Sequence, residues 1–262
     1  MSEMLVKLWD NGLLQMGVWE TIYMTLLSTG FAYLFGLPMG VILWVTDKNG
    51  LPQVGKGKQT ACRIINCVLG FVVNFFRSIP CIILMVAIMP FTKLVVGTKI
   101  GVRGAVVPLV VSAAPFIARM VETSLAEVDA GVVEAAQSMG ASTFQIIRKV
   151  YLPEAKPSLV LGGAISIVTI LGYTAIAGTV GAGGLGDIAV RYGHQRFITS
   201  VMWVTVVILI ILVQVVQSLA DDGPVLSRHG HHVGHRAHGG QVPILPEHGP
   251  GFLRSRHRHG QL

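Results

Sequence analysis

Charged residues are scarce in this chain. Asp, Glu, Lys and Arg make up 13% of its 262 residues, whereas soluble domains contain about a quarter. Hydrophobic residues make up 52%, and the mean hydropathy is +0.64. This balance excludes an ordinary soluble domain and indicates an integral membrane protein. The net charge of +7 does not indicate nucleic-acid binding. The basic residues lie at the ends of apolar runs and in the tail, where lipid headgroups and the positive-inside bias account for them.

Cysteines are few, and we expect no cleavable leader. Cys62, Cys67 and Cys81 form no C-x-x-C pair and lie in or near one apolar run, so we expect them to be small buried hydrophobes. The first twenty residues lack the basic segment, apolar core and small-residue cleavage site of a signal peptide. We therefore expect the first apolar run to remain as a transmembrane helix.

Two glycine-rich stretches match nucleotide-binding patterns only in form. Residues 50–56 fit G-x-x-x-x-G-K, but Gly57 follows where Ser or Thr should hold Mg²⁺. Residues 181–186 fit G-x-G-x-x-G, yet they follow an apolar run and have no strand–helix–strand context. We expect the second stretch to form a tight external turn, and neither stretch to bind nucleotide.

Five apolar runs reach the length of about 20 residues that a membrane helix requires. The sequence therefore predicts an all-α integral membrane protein with five transmembrane helices. Because five is odd, the two termini should lie on opposite sides of the membrane. The runs are residues 21–45, 64–90, 104–120, 158–180 and 199–219.

Proline and glycine recur within these runs, and we expect them to interrupt the helices. They are Pro38, Pro80, Pro108, Pro115 and the pair Gly162 and Gly163. Gly36 and Gly40 form a G-x-x-x-G pattern, which favours close helix contact. Five interrupted helices are few to enclose a polar path, so we expect a homodimer with the pathway at its interface.

Arg77 lies about a dozen residues into the second apolar run. An arginine there is costly unless it snorkels, pairs or lines a cavity. With Ser78 and Pro80 it forms an R-S-x-P sequence. Two roles stay open for these residues: structuring or gating a pathway, and supporting a helix break.

Residues 129–153 are the least apolar long segment between the runs. Asp129 is a good N-cap for a helix over residues 130–139, with Val132 and Ala136 on one face. Gly140 suits the left-handed position that closes a helix. Residues 142–145 form a capping-box pattern for a second helix, which Pro153 should stop. That helix carries Phe144, Ile147 and Val150 at helical spacing, beside Arg148 and Lys149. Such a helix–turn–helix is suited to a groove on another protein.

This segment resembles the EAA loop of ABC-transporter permeases, whose pattern is E-A-A, three residues, G, nine residues and I-x-L-P. The matching positions are Glu134, Ala135, Ala136, Gly140, Val150, Leu152 and Pro153, with Val150 replacing the isoleucine. The resemblance implies that these residues couple the chain to a separate ATPase subunit, which would bind ATP and Mg²⁺. This chain would carry no cofactor and no metal. The loop would be cytoplasmic, the N-terminus outside and the C-terminus inside.

Four further stretches, covering roughly residues 15–219, look like those of methionine-importer permeases: 17–21 (GVWET), 76–80 (FRSIP), 114–119 (APFIAR) and 180–186 (VGAGGLG). The resemblance implies a bacterial inner-membrane complex that carries L- and D-methionine. Its parts would be two permease copies, two ATPase subunits and an extracytoplasmic substrate-binding lipoprotein. A permease for another amino acid or small polar nutrient is the nearest alternative. An ion-coupled secondary transporter is disfavoured, because Glu20 and Glu122 lie at span ends rather than mid-membrane.

The tail has a different composition. Eight of the nine histidines and five arginines follow residue 227, without lysine or hydrophobic periodicity. We expect residues 220–262 to be disordered, and their abrupt composition suggests an out-of-frame gene end. A membrane enzyme using the tail histidines, or metal binding by them, is a further alternative, although unsupported histidines would bind promiscuously. The expected division is 1–20 as an external segment, 21–219 as the permease domain with its loop at 129–153, and 220–262 as the tail.

Overall fold

The computed structural model describes residues 11–47 and 59–221, and the regular secondary structure in these ranges is entirely helical. In chain order the helices are α1 (Leu13–Thr46), α2 (Gln59–Ser78), α3 (Cys81–Ala87), α4 (Met89–Val96), α5 (Gly101–Ala126), α6 (Ala130–Ser138), α7 (Thr143–Ile146), α8 (Leu152–Glu154), α9 (Lys156–Gly178), α10 (Gly184–Ile188) and α11 (Thr199–Asp221). In α1, α2, α5, α9 and α11 the helix is long and apolar enough to cross a membrane. The predicted all-α fold with five spans is confirmed.

The first two spans differ from their predicted bounds. The first helix begins at Leu13, eight residues before the predicted start at residue 21. The mostly apolar sequence continues toward the N-terminus, so the helix is longer than a membrane crossing requires. The second run, predicted over residues 64–90, is divided. Helix α2 ends at Ser78, and Pro80, with ψ 134°, precedes α3. Proline has no N–H to continue the helix, which explains the break.

Helices α1 and α5 run parallel and form the most extensive contact of the fold. A Cβ added at Gly36 would lie 2.9 Å from the Ala114 oxygen, and one added at Gly40 would lie 2.5 Å from the Ala118 oxygen. The backbones approach closely only because these positions have no side chain. The predicted helix contact at Gly36 and Gly40 is confirmed.

The expected interruptions occur at Pro80 but not at the other prolines. Pro38 lies inside α1, and Pro108 and Pro115 lie inside α5, which continues from Gly101 to Ala126. Gly162 and Gly163 likewise lie inside α9. Membrane helices tolerate such residues where neighbouring helices pack against them. Pro108 and Pro115 are both buried.

The outer helices are much less buried than the α1–α5 pair. Helix α9 packs on α1, α5, α10 and α11, while α2 and α11 present apolar residues such as Phe71 and Ile210 outward. Cys67 is exposed on α2, and Cys62 and Cys81 are partly exposed. The expectation of three buried cysteines is therefore wrong. Cys62 and Cys67 lie on α2, which is covered on only one side, and Cys81 is the first residue of α3.

Candidate functional site

The segment between α5 and α9, residues 129–153, is called the α5–α9 loop below. Asp129 caps its first helix, because the carboxylate oxygen Oδ1 accepts a hydrogen bond from the Gly131 N–H at 2.6 Å. At the other end Gly140 has φ 78°. The Gly140 N–H donates to the Gln137 carbonyl at 2.9 Å, and the Ala141 N–H donates to the Ala136 carbonyl at 3.2 Å. These two bonds form a Schellman motif, and Gly140 takes the left-handed conformation that the sequence predicts.

The second helix begins with the predicted capping box. The Ser142 N–H donates to Gln145 Oε1 at 2.9 Å, and Ser142 Oγ accepts from the Gln145 N–H at 3.4 Å. The helix does not stop at Pro153, contrary to the prediction. After Ile146 it widens into a π-helical segment, Ile147–Tyr151, in which the Leu152 N–H bonds to the Ile147 carbonyl. It continues as α8 and reaches α9 after one residue, Ala155.

This continuation follows from the position of the proline. Pro153 occupies the first turn of α8, where a missing N–H and a fixed φ are tolerated. The Ala155 N–H then bonds to the Tyr151 carbonyl at 2.9 Å and carries the helical path onward. The α5–α9 loop is therefore joined to α9 without an extended linker.

The inner face of the α5–α9 loop packs on the ends of α1 and α5. Val133, Ala136, Ile146 and Tyr151 are buried in one cluster with α5 residues such as Leu125. The ring of Tyr151 meets that of Trp44 edge-on, with centroids 6.1 Å apart. The predicted face needs two corrections, since Val132 and Phe144 point outward while Val133 and Ile146 are buried. Trp44 and Tyr151 were not singled out from the sequence, although buried aromatics often anchor such contacts.

The outer face of the α5–α9 loop is apolar at three positions. Val132 is 45% exposed, Phe144 68% and Met139 81%. Arg148 and Lys149 are exposed beside them. Of the seven positions of the EAA pattern, one is buried, two are half-buried and four are exposed: Ala136 is buried, Val150 and Leu152 are half-buried, and Glu134, Ala135, Gly140 and Pro153 are exposed. The loop is thus anchored on one side and open on the other.

Arg77, Ser78 and Pro80 lie together at the break between α2 and α3. Ser78 Oγ donates to the Asn74 carbonyl at 2.8 Å, and the Pro80 carbonyl accepts from the Leu84 N–H at 3.0 Å. Arg77 is exposed in the last turn of α2, where the helix dipole favours a cation. Within residues 11–47 and 59–221 it makes no ion pair. These contacts show the helix break, and they leave the side chain of Arg77 exposed without an ion-pair partner among the described residues.

A second arginine near the α2–α5 contact, Arg119 on α5, does form an ion pair. Its Nη1 lies 2.7 Å from Glu122 Oε2, and its Nη2 donates to Asn74 Oδ1 on α2 at 3.0 Å. In the sequence, Arg119 stands out only as the last residue of the stretch 114–119 that resembles methionine-importer permeases. An unpaired arginine in an apolar run is costly, as argued above for Arg77. The same cost predicts a partner for Arg119.

The glycine-rich stretch after α9 docks on α1. The Gly184 N–H donates to Glu20 Oε2 at 2.7 Å, and the Leu185 N–H donates to Thr21 Oγ1 at 2.9 Å. Gly184 has φ 74°, and a Cβ there would lie 2.7 Å from Thr21 Oγ1. The stretch makes the tight turn that was expected, but residues 184–186 are buried. Glu20 thus has a structural partner near the start of its span.

In the part of the chain that the structure describes, the side chains are not arranged to bind a metal ion. No group of three His, Cys, Asp or Glu side chains converges there. Residues 181–186 form a turn and a helix start rather than the turn of a nucleotide-binding fold. Residues 50–57 and the tail histidines, including His229, His231, His232, His235 and His238, lie outside the described ranges.

The helical bundle with its α5–α9 loop places the chain in a class of membrane-spanning transport components. The chain belongs to the family of binding-protein-dependent transport system inner membrane components, whose sequence model matches residues 62–221. A relative from Vibrio cholerae serotype O1, a probable D-methionine transport system permease protein MetI, is 50% identical over 212 residues, which is 81% of this chain and 91% of the relative. The D-methionine transport system permease protein MetI of Escherichia coli (strain K12) is 49% identical over 166 residues, covering 63% and 73%.

Solved structures agree with the family. A chain of the MetNI methionine ABC transporter in an inward-facing conformation matches with a TM-score of 0.75 and 47% identity, covering 80% of this chain and 93% of that one. A chain of an amino acid ABC transporter crystallised with histidines matches with a TM-score of 0.66 at 18% identity, covering 83% and 95%. At that identity the second match supports the fold alone.

Proposed function

We propose that this chain is the permease subunit of an ATP-driven importer that carries methionine, in its L and D forms, across the cytoplasmic membrane. The observation that supports the cargo most strongly is the 50% identity, over 81% of the chain, to a relative named for D-methionine transport. The 47% identity to a chain of a methionine ABC transporter supports the same cargo.

The α5–α9 loop is the proposed contact with the ATPase. Its inner face is held by buried residues such as Ala136 and Tyr151, whereas Val132, Met139 and Phe144 expose an apolar edge. Exposed apolar residues grouped on a small helical element fit a groove on a partner. Glu134, Ala135, Gly140, Val150, Leu152 and Pro153 would set the shape of this element. ATP and Mg²⁺ would bind on the ATPase, the loop would be cytoplasmic, and the N-terminus would lie outside.

Two copies of the chain would form the pathway, and an extracytoplasmic binding lipoprotein would deliver methionine to it. Helices α2 and α11 present exposed apolar residues that either lipid or a second copy can cover. Arg77, Ser78 and Pro80 would lie along or near the pathway. Their place at a helix break, with Arg77 exposed, supports this proposal.

The joint between the α5–α9 loop and the spans suggests how work is transmitted. The loop packs on the end of α5 and passes into α9 through helical residues. A displacement of the loop by the ATPase dimer would therefore tilt α5 and α9 rather than be absorbed by a flexible linker. Access would alternate by rigid-body rocking between two states that nucleotide biases.

Co-purification tests the partners. An affinity-tagged chain expressed in its native host should retain an ABC ATPase, and uptake of labelled methionine by the same cells should be competed by unlabelled methionine more strongly than by other amino acids. Replacing Phe144, 68% exposed, with alanine should weaken ATPase retention severalfold. The matched control is Phe197→Ala, an exposed phenylalanine at the opposite end of the spans. Equal ATPase retention by both variants would contradict the proposed contact, and stronger competition by another amino acid would contradict the cargo.

A further inference from the structure

An apolar groove of about 800 Å³ opens between α1, α2, α4 and α5. Its walls are almost entirely hydrocarbon, and among the residues that the structure describes Arg103 is the one charged residue lining it. The volume lies within the range of about 300–1,000 Å³ that small-molecule pockets span. Its lining residues include Phe31 and Phe35 of α1, Phe76 of α2, Phe91 and Val95 of α4, and Val107 of α5.

The groove runs along the membrane-crossing direction. Because α1 and α5 are parallel, Tyr23 and Arg103 line one end of the groove while Met39 and Pro115 line it farther along. At a rise of about 1.5 Å per residue, the stretch from Tyr23 to Met39 is roughly 24 Å long. One leaflet of hydrocarbon is about half of a core roughly 30 Å thick. The groove is therefore long enough to hold one lipid acyl chain along its length.

The segment that leads into the Arg103 end of the groove is basic, and Arg103 is the member of it that lines the groove. Residues 88–103 contain Lys93, Lys99 and Arg103 and no Asp or Glu. All three side chains are exposed, and none forms an ion pair with a residue of the described ranges. Arg103 lies in the first turn of α5, at the end of the span, where a lipid headgroup would lie. A guanidinium beside an apolar slot complements a phosphate joined to an acyl chain.

We propose that this groove binds an anionic phospholipid, with an acyl chain between α1 and α5 and its phosphate at Arg103. A second copy of the chain is the competing occupant, and the charges disfavour it. Copies in one membrane share their orientation, so a two-fold contact through this face would bring the basic ends to the same depth. Like charges placed together would repel, whereas a phosphate would neutralise them.

The amount and type of lipid that the purified complex retains test the proposal directly. The intact complex, reconstituted in vesicles of phosphatidylethanolamine and phosphatidylglycerol, would be extracted in detergent, washed, and analysed for bound lipid by native mass spectrometry. The wild-type complex should retain phosphatidylglycerol in preference to phosphatidylethanolamine. Arg103→Gln should reduce the retained phosphatidylglycerol severalfold, and Val107→Trp, which fills the groove, should reduce retention of both lipids.

Two matched variants serve as controls and should retain lipid like the wild type. Arg63→Gln removes an exposed basic charge of α2 away from the groove, and Ile210→Trp enlarges an exposed apolar residue of α11. Wild-type protein that retains no phosphatidylglycerol, or retention that Arg103→Gln leaves unchanged, would overturn the proposal. In a chain whose three cysteines are replaced by serine, a disulfide between two copies through Val107→Cys would overturn it too, because it would place a second copy in the groove.

Discussion

Helices α5 and α11 show that hydropathy and burial are separate properties of a membrane helix. Helix α11 is the more apolar, with a mean hydropathy of 2.5 against 1.8 for α5, yet 11% of its apolar window is buried against 67% for α5. The difference lies in side-chain size. Helix α5 has Gly104, Ala113, Ala114 and Ala118 among its buried residues, whereas α11 contains no glycine and consists mainly of large branched residues.

This contrast follows from the membrane as a solvent. Lipid tails are as apolar as leucine, so large apolar side chains gain little by facing another helix. Small residues let backbones approach and gain packing contacts that lipid cannot supply. Hydropathy therefore predicts where a helix crosses the membrane, and small residues predict which helices form the centre of the bundle.

Of the substitutions considered, replacing Gly40 with leucine should have the largest effect, because it disrupts the close contact between α1 and α5. A Cβ at this position would lie 2.5 Å from the Ala118 oxygen and 2.6 Å from Val121 Cβ, so α1 and α5 would have to separate. Overpacking a core typically costs about 1–3 kcal/mol, and a backbone contact leaves little room to relax. We expect loss of the monodisperse peak in size-exclusion chromatography. Gly30→Leu, in open space on the same helix, is the control, and equal behaviour of the two variants would refute the close contact.

Replacing Gly140 with aspartate should abolish methionine uptake while the protein remains in the membrane. The left-handed conformation costs a residue with a Cβ about 1–2 kcal/mol, and the added charge lies on the exposed side of the α5–α9 loop. Gly97 is a close match, since it follows α4 with φ 81° and also faces open space. Uptake assays should show normal transport for Gly97→Asp. Normal transport by Gly140→Asp, at normal membrane levels, would argue against a coupling role for the loop.

Replacing Thr21 with valine should destabilise the chain by about 1–3 kcal/mol, because the buried Leu185 N–H loses its acceptor. Thr29→Val is the matched control. Both hydroxyls donate to the carbonyl four residues earlier, but Thr21 alone of the two also accepts from the glycine-rich stretch. Thermal unfolding in detergent should show a lower midpoint for Thr21→Val. Equal midpoints would mean that this hydrogen bond contributes little.

Replacing Ile211 with alanine should have the smallest effect, within about 0.5 kcal/mol, since its side chain is 55% exposed on α11. Thermal unfolding of the purified complex is again the measurement. A destabilisation as large as that of a core substitution would show that a second copy covers this face, and the contrast between α5 and α11 would then hold for the single chain only.

The parts of the α5–α9 loop that the sequence predicts are those set by near neighbours. Asp129 and Ser142 act on residues two or three positions away, and Gly140 acts through its own φ, so their effects can be read from short patterns. The buried face was predicted less well, because Val132 and Val133 are adjacent and equally apolar. Contact with α5 decides between them.

Long-range contacts lay outside such patterns. Glu20 and Gly184 are 164 positions apart, and Asn74 and Arg119 are 45 apart. Glu20, Gly184 and Arg119 lie in stretches that resemble known permeases, but no spacing rule pairs them with their partners. Pro153 was misread for a similar reason. A proline usually ends a helix, and no short sequence pattern predicts the π-helical turn Ile147–Tyr151, after which the helix continues through Pro153.

That wider turn also sets an angle. An α-helix advances about 100° per residue, so a single residue added to or taken from a helix rotates everything beyond it by that amount. The Leu152 N–H bonds to Ile147, five residues back, and so the segment Ile147–Tyr151 contains one residue more than an α-turn would hold. That residue fixes the rotational phase between the two ends of the α5–α9 loop. Deleting it would restore an ordinary helix and turn the apolar edge with Phe144 and Met139 to another azimuth around α9.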